Sequence, residues 1–103
     1  MKKYLYLKQY PLNGGRHSEI PYIELSIRKD RITLNWICVP DELRRKGLAI
    51  KLLKELFRYM RHAKIDLIYF TNVHTRFWKM AVKKFPNKIK RYKLNWSFIM
   101  KRG

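Results

Sequence analysis

The sequence predicts a single α/β domain, a mixed sheet flanked by helices, and three observations carry that prediction. Residues 20–27 and 32–39 alternate apolar and polar side chains around Lys29-Asp30, the pattern of a β-hairpin. Residues 48–60 place Ala49, Leu52, Leu53, Leu56 and Met60 on one face at helical spacing. An apolar run at 65–70 and two closing segments at 88–93 and 94–101 then return the chain to the sheet.

Each element has a local reason. Tyr4 to Leu7 is a short apolar-aromatic run, read as a first strand, and Pro11-Leu12-Asn13-Gly14-Gly15 is loop chemistry. In the first hairpin strand Ile23, Leu25 and Ile27 share a face, with Glu24, Ser26 and Arg28 on the other. In the second, Ile32, Leu34, Trp36 and Cys38 alternate with Thr33, Asn35, Ile37 and Val39, up to Pro40. The helix over 48–60 carries Lys51, Lys54, Arg58 and Arg61 opposite its apolar stripe. Residues 65–70 are apolar around Asp66, as a strand covered on both faces is. A shorter helix is expected over 77–85, ended by Pro86-Asn87. In the last strand Leu94, Trp96, Phe98 and Met100 share one face. No repeat or linker interrupts the order, so one domain over 1–103 is expected.

Composition narrows the function. With 47% hydrophobic and 15% aromatic residues in 103, the chain has the material for a core, unlike a disordered basic tail. It is too small to hold a separate substrate domain. Cys38 is the single cysteine, which fits a reducing compartment, and no apolar run approaches the ~20 residues that span a bilayer. Lys8 cuts the apolar stretch of residues 4–7 short of a signal peptide. A cytoplasmic protein with no membrane partner is expected. The 25 Lys+Arg against 7 Asp+Glu give a net charge of +18, beyond the ~2–8 that solubility asks of a small domain. RNA, DNA, a ribosome, a phosphorylated cofactor or an acidic protein are the expected kinds of partner. The charge is uneven: no acidic residue follows Asp66, while Arg76 to Arg102 supply ten Lys/Arg.

Chemistry concentrates between Asn35 and Ala49. A strand ends, a polar loop follows, and Arg44-Arg45-Lys46-Gly47 opens the amphipathic helix. The first turn of a helix leaves N–H groups unpaired and carries partial positive charge, so a phosphate suits it. Gly47 clears the approach, Ala49 keeps the next turn thin, and the three cations add attraction.

Val39, then Arg44-x-x-Gly47-x-Ala49, then an apolar helix with Leu52-Leu53, resembles motif A of the Gcn5-related N-acetyltransferases (GNAT), which reads Q/R-x-x-G-x-G/A after a strand ending in Val. The downstream order is similar too: a buried strand, Asn72 near its end, a helix and closing strands. The resemblance runs from about 35 to 101. It implies a mostly antiparallel mixed sheet with a shortened N-terminal part, acetyl-CoA as acyl donor, no metal, and acetyl transfer to an amine. It further implies that the backbone of Arg45, Lys46, Gly47, Leu48 and Ala49, beside Arg44, holds the pyrophosphate. The strand end at Ile37, Cys38 and Val39 then pairs with the pantetheine arm and polarises the thioester carbonyl, and Asn72 lies beside that arm or the second helix.

Three departures stand against the family pattern; the first two favour a second reading, a GNAT-fold protein without catalysis that binds nucleic acid or a ribosome, and the third opens the acceptor site, as a macromolecular substrate requires. Arg76-Phe77-Trp78-Lys79-Met80 stands where the family commonly places a Tyr acid, Leu34 to Trp36 hold no carboxylate where a Glu base is frequent, and residues 8–20 leave little room for the helices that usually wall the acceptor site. The replacement proton carriers are His74, with an ordinary pKa of ~6.5, and Glu24 on the polar face of its strand. Each has a plainer reading, His74 as a capping or surface residue and Glu24 as a solvated one. Cys38 reads as a small core thiol. His17 and His62 lack metal-ligand spacing. Lys83, Lys84, Lys88, Lys90, Arg91 and Lys93, near Tyr92 and Trp96, are the candidate nucleic-acid contacts.

Overall fold

In the computed structural model of the protein the described residues are 1–11, 19–29, 31–71, 75–91 and 97–102. The elements run β1 (Lys2–Tyr6), β2 (Tyr22–Ile27), β3 (Ile32–Cys38), a 3₁₀ turn (Asp41–Leu43), α1 (Leu48–Ala63), β4 (Leu67–Thr71), α2 (Thr75–Lys84), β5 (Ile89–Arg91) and β6 (Ser97–Lys101). They form one sheet in the order β1-β2-β3-β4-β6-β5. Every neighbouring pair is antiparallel except β3 and β4. The predicted mixed α/β domain is therefore the observed one.

The ends of the elements follow local chemistry. Arg28 and Arg31 exchange backbone hydrogen bonds of 2.9 and 3.4 Å to close the β2–β3 hairpin. Lys64, in the left-handed region at φ 56°, ends α1, and the Ile65 N–H returns 2.8 Å to the Met60 carbonyl. Arg61 and His62 stand in that last turn, where positive charge complements the helix dipole.

Both helices lie on one side of the sheet. α1 packs on β1, β2 and β3, with Leu52, Leu53, Leu56 and Met60 fully buried, while Lys51, Lys54, Arg58 and Arg61 stay exposed as expected. α2 covers the other half. Trp78 stacks at 4.2 Å on Phe70 of β4 and at 6.1 Å on Phe98 of β6. Phe57 of α1 meets Phe85, the residue just past α2, with their rings 5.2 Å apart. The first half-sheet thus carries α1 and the second carries α2, and between them β3 pairs with β4 only at Thr33↔Tyr69 and Leu34↔Phe70.

A β-bulge alters one expectation. Opposite Glu24 and Leu25, β3 places Trp36 and Leu34, so Asn35 is the extra residue. Strict alternation puts Trp36 and Cys38 with Leu34 in the core. The bulge instead shifts the register by one, turning Ile37 and Val39 to the helix side and leaving Trp36 61% exposed. Cys38 is accordingly half-buried and not a core thiol. A second correction concerns β4. It is covered on one face only, because Ile68 and Phe70 are buried while Leu67 is exposed and Tyr69 half-buried. Asp66 precedes the strand and pairs with Arg102 at 2.7 Å. Among the described residues, no helix is long and apolar enough to cross a membrane.

Candidate functional site

Beyond Leu34 the two central strands part. β3 runs on through Cys38 without a β4 partner, and the space on the helix side of its end becomes a cleft of about 800 Å³. That volume is ample for a cofactor-sized ligand. Ile37 and Val39 form one wall, the start of α1 (Gly47, Leu48, Ala49, Ile50) a second, and Arg76, Phe77 and Met80 of α2 a third. Trp78, fully buried, backs the α2 wall.

The loop between β3 and α1 is shaped by two left-handed residues. Pro40 ends the strand, Asp41–Leu43 make a 3₁₀ turn, and Arg45 (φ 66°) and Gly47 (φ 72°) then reverse the chain into α1. Such a residue costs roughly 1–2 kcal/mol with a side chain and nothing for glycine, so Arg45 stores strain that Gly47 avoids. The first intrahelical bond runs from the Lys51 N–H to the Gly47 carbonyl, 3.2 Å. The N–H groups of Leu48, Ala49 and Ile50 thus have no intrahelical acceptor, and all three residues line the cleft. Successive amides at a left-handed turn form a concavity suited to an anion.

Side chains add charge at the mouth. Arg44 folds back over the loop, its guanidinium 3.1 Å from Asp41 and its Nε donating at 3.4 Å to the Val39 carbonyl. It therefore braces the loop. Arg45, Lys46 and Arg76 are exposed, and among the described residues none of them pairs with an acid. The floor is apolar and the rim basic, a division that fits a ligand with a phosphorylated end and an uncharged arm.

Of the sequence candidates, Ile37, Val39, Arg44, Arg45, Gly47, Leu48 and Ala49 come together around the cleft. Cys38 points to the other sheet face beside Tyr22, and Lys46 stands outside the lining. Asn72, His74 and Lys93 lie outside the described residues. Leu43 and Ile50 are lining residues that sequence reasoning did not name, and Arg76, Phe77, Trp78 and Met80, read from the sequence only as the stretch in the place of a tyrosine acid, line the cleft too. Lys83 and Lys84 are exposed at the end of α2, and Lys88 holds its ammonium 4.7 Å over the Phe57 ring. Lys90 projects from the opposite face of β5, where it pairs with Ile99, and Arg91 is the last residue of that strand.

Glu24 is neither solvated nor in the cleft. It is 8% exposed on the sheet face opposite the helices. Its Oε1 accepts from the Tyr4 hydroxyl at 3.1 Å, its Oε2 from Asn35 Nδ2 at 2.9 Å, and Lys2 Nζ stands 3.8 Å away. The bulge supplies Asn35, which also donates to Ser26 Oγ at 2.7 Å. The hydrogen bond to Glu24 raises the Tyr4 hydroxyl above its ordinary value, and burial, then Cys38, raises that of Tyr22. A raised phenol stabilises the fold fully below its unfolded value near 10, and that contribution fades as pH rises through the folded value. In alkaline unfolding, Tyr4→Phe should therefore lower stability at neutral pH and flatten the decline above pH 10. Equal slopes for the two proteins would remove Tyr4 from the account.

Neither a protein-family model nor a curated protein sequence matches the chain. Solved structures do resemble it. GCN5 of Tetrahymena superposes with a TM-score of 0.67 at 10% identity, over 99% of this chain and 69% of that one. A GNAT-family acetyltransferase of Staphylococcus aureus Mu50 gives 0.57 at 17% identity, over 86% of this chain and 64% of its own, under two thirds of its length. The anti-CRISPR protein AcrVA5 gives 0.58 at 14%, over 95% of this chain and 96% of that one. At these identities the likeness is one of fold: a GNAT-like, acyl-CoA N-acyltransferase fold.

Proposed function

We propose that the protein transfers an acetyl group from acetyl-CoA to an amine on a macromolecular, polyanion-associated substrate. One observation carries the reading. The cleft opens where β3 and β4 part, and its wall is the left-handed loop and unpaired amides at the start of α1. Acetyl-CoA fits that cleft because the amides and exposed cations suit its phosphates and the apolar walls suit its uncharged arm.

When bound, acetyl-CoA supplies an activated acyl group as a thioester. The chain's own residues do the rest. The Gly47, Leu48 and Ala49 amides, with Arg45 and Lys46 beside them, anchor the pyrophosphate. The backbone of Ile37, Cys38 and Val39, without a β4 partner, offers hydrogen bonds to an extended arm and an N–H to a developing oxyanion. An amine must lose a proton as it attacks, and His74 is the proposed acceptor. Glu24, held by Tyr4 and Asn35 on the sheet face away from the cleft, does not reach that amine.

The direct test incubates the protein with acetyl-CoA and basic or nucleic-acid-bound protein acceptors, reading free thiol release and a mass gain of one acetyl group on the acceptor. Turnover above the uncatalysed rate is expected. Saturable acetyl-CoA binding without transfer to any amine would support instead a donor-binding protein that has lost catalysis, the reading favoured by Trp78 standing near the place of a tyrosine acid.

A further inference from the structure

The sheet face away from the helices is unlike an ordinary solvated face. Register and burial place Tyr4 and Tyr6 of β1, Tyr22 of β2, Trp36 of β3 and Tyr69 of β4 on it. Trp36 is 61% exposed, and the four tyrosines around it are half-buried and engaged in further contacts. Tyr6 stands opposite Tyr22, and Tyr4 meets Tyr22 edge-on with centroids 6.0 Å apart. An exposed indole beside a row of partly open phenol rings is the kind of apolar patch that marks a binding surface.

Its charge identifies the occupant. Lys2, Lys90 and Lys101 project from strands on this face, and the Arg31 guanidinium lies 4.9 Å over the Tyr69 ring. Among the described strand residues its one carboxylate is Glu24, already engaged by Tyr4, Asn35 and Lys2. Flat rings inside a cationic frame match a strand of bases and phosphates, with stacking on the rings and ion pairs at the rim. A second copy of the chain would bring +18 against +18.

We infer that this open face binds single-stranded nucleic acid, with Trp36 as its principal stacking platform. The inference names the polyanion of the proposed function and rests on that part alone, not on the acetyl donor. It also separates the lysines. Lys90 belongs to the binding face, whereas Lys83 and Lys84 at the end of α2 do not.

The experiment titrates labelled 15-nucleotide RNA and DNA single strands, and a duplex of equal length, at about 0.15 M salt and across a salt series. Trp36→Ala removes a ring and no charge. It should weaken single-strand binding roughly five-fold to a hundred-fold and leave the salt slope unchanged. Trp36→Phe should recover most of the loss, and the pair Lys90→Ala, Lys101→Ala should reduce the slope where Lys83→Ala, Lys84→Ala leaves single-strand preference intact. Single-strand affinity within twofold of wild type in folded Trp36→Ala would overturn the inference. So would duplex bound as tightly as single strand, or a polyglutamate chain of equal charge displacing the single strand. Gly47→Glu should bind the oligonucleotide as wild type does, so loss of the acetyl-CoA site and failure of this face are read separately.

Discussion

Gly47→Glu should abolish measurable acetyl-CoA binding while the protein stays folded. At φ 72° any side chain at this position costs roughly 1–2 kcal/mol. A Cβ there meets nothing within 4 Å, so no clash adds to it. A fall in melting temperature of about 4–8 °C per kcal/mol is expected for a domain this size. The effect on the ligand is larger. A carboxylate at the start of α1 opposes a pyrophosphate a few ångströms away, and like charges at 4 Å near a protein surface repel by ~4 kcal/mol. Affinity should fall at least hundredfold in calorimetric titration at physiological salt, where nonspecific attraction is screened. Gly47→Ala carries the same strain without the charge and should stay within tenfold of wild type. Unchanged affinity in folded Gly47→Glu would remove the loop from phosphate binding.

Trp78→Ala should be the most damaging substitution for stability. Trp78 is fully buried between Phe70 at 4.2 Å and Phe98 at 6.1 Å, with Phe77 edge-on at 5.0 Å. Emptying such a site costs roughly 3–5 kcal/mol, a large share of the ~5–15 that holds a domain together. Loss of cooperative thermal unfolding, or a drop above about 15 °C, is the expected reading. Trp78→Phe isolates a second effect. The indole Nε1 is buried with no hydrogen-bond partner among the described residues, a defect of about 1–3 kcal/mol that phenylalanine removes while keeping a ring in the stack. It should therefore lose less than half of what alanine loses. Equal losses would mean the indole N–H is satisfied in solution.

The hairpin, α1 and the loop before it were legible because each is encoded locally, in period-two alternation, a 3.6-residue stripe and a glycine that only a left-handed turn requires. α1 begins at Leu48 as expected and runs three residues past Met60, since Arg61 and His62 suit its last turn. The far wall of the cleft was not legible. Phe77 and Met80 reach it because α2 lies across the cleft from the start of α1, about thirty residues on in the chain, a placement with no local signature. The face of Trp36 was misread for a different reason. Residues 36–39 are all apolar and cannot declare a register, and the deciding residue, Asn35, bulges to serve Glu24 and Ser26. Glu24, whose polar neighbours promised solvent, is buried by the same bulge. A carboxylate with three partners from two other strands has no pattern in its own strand to announce it.

The division of the sheet also bears on how the chain assembles during synthesis. β1, β2 and β3 find each other and α1 within residues 2–63, and β4, α2, β5 and β6 do so within 67–101. Each half is built of near-sequence contacts, the kind that form quickly. The first half can thus collapse around Leu52, Leu53 and Leu56 before Leu67 leaves the ribosome. Closing the two-pair seam then becomes a late docking of two preformed pieces. The functional cleft is the part of that boundary left unzipped.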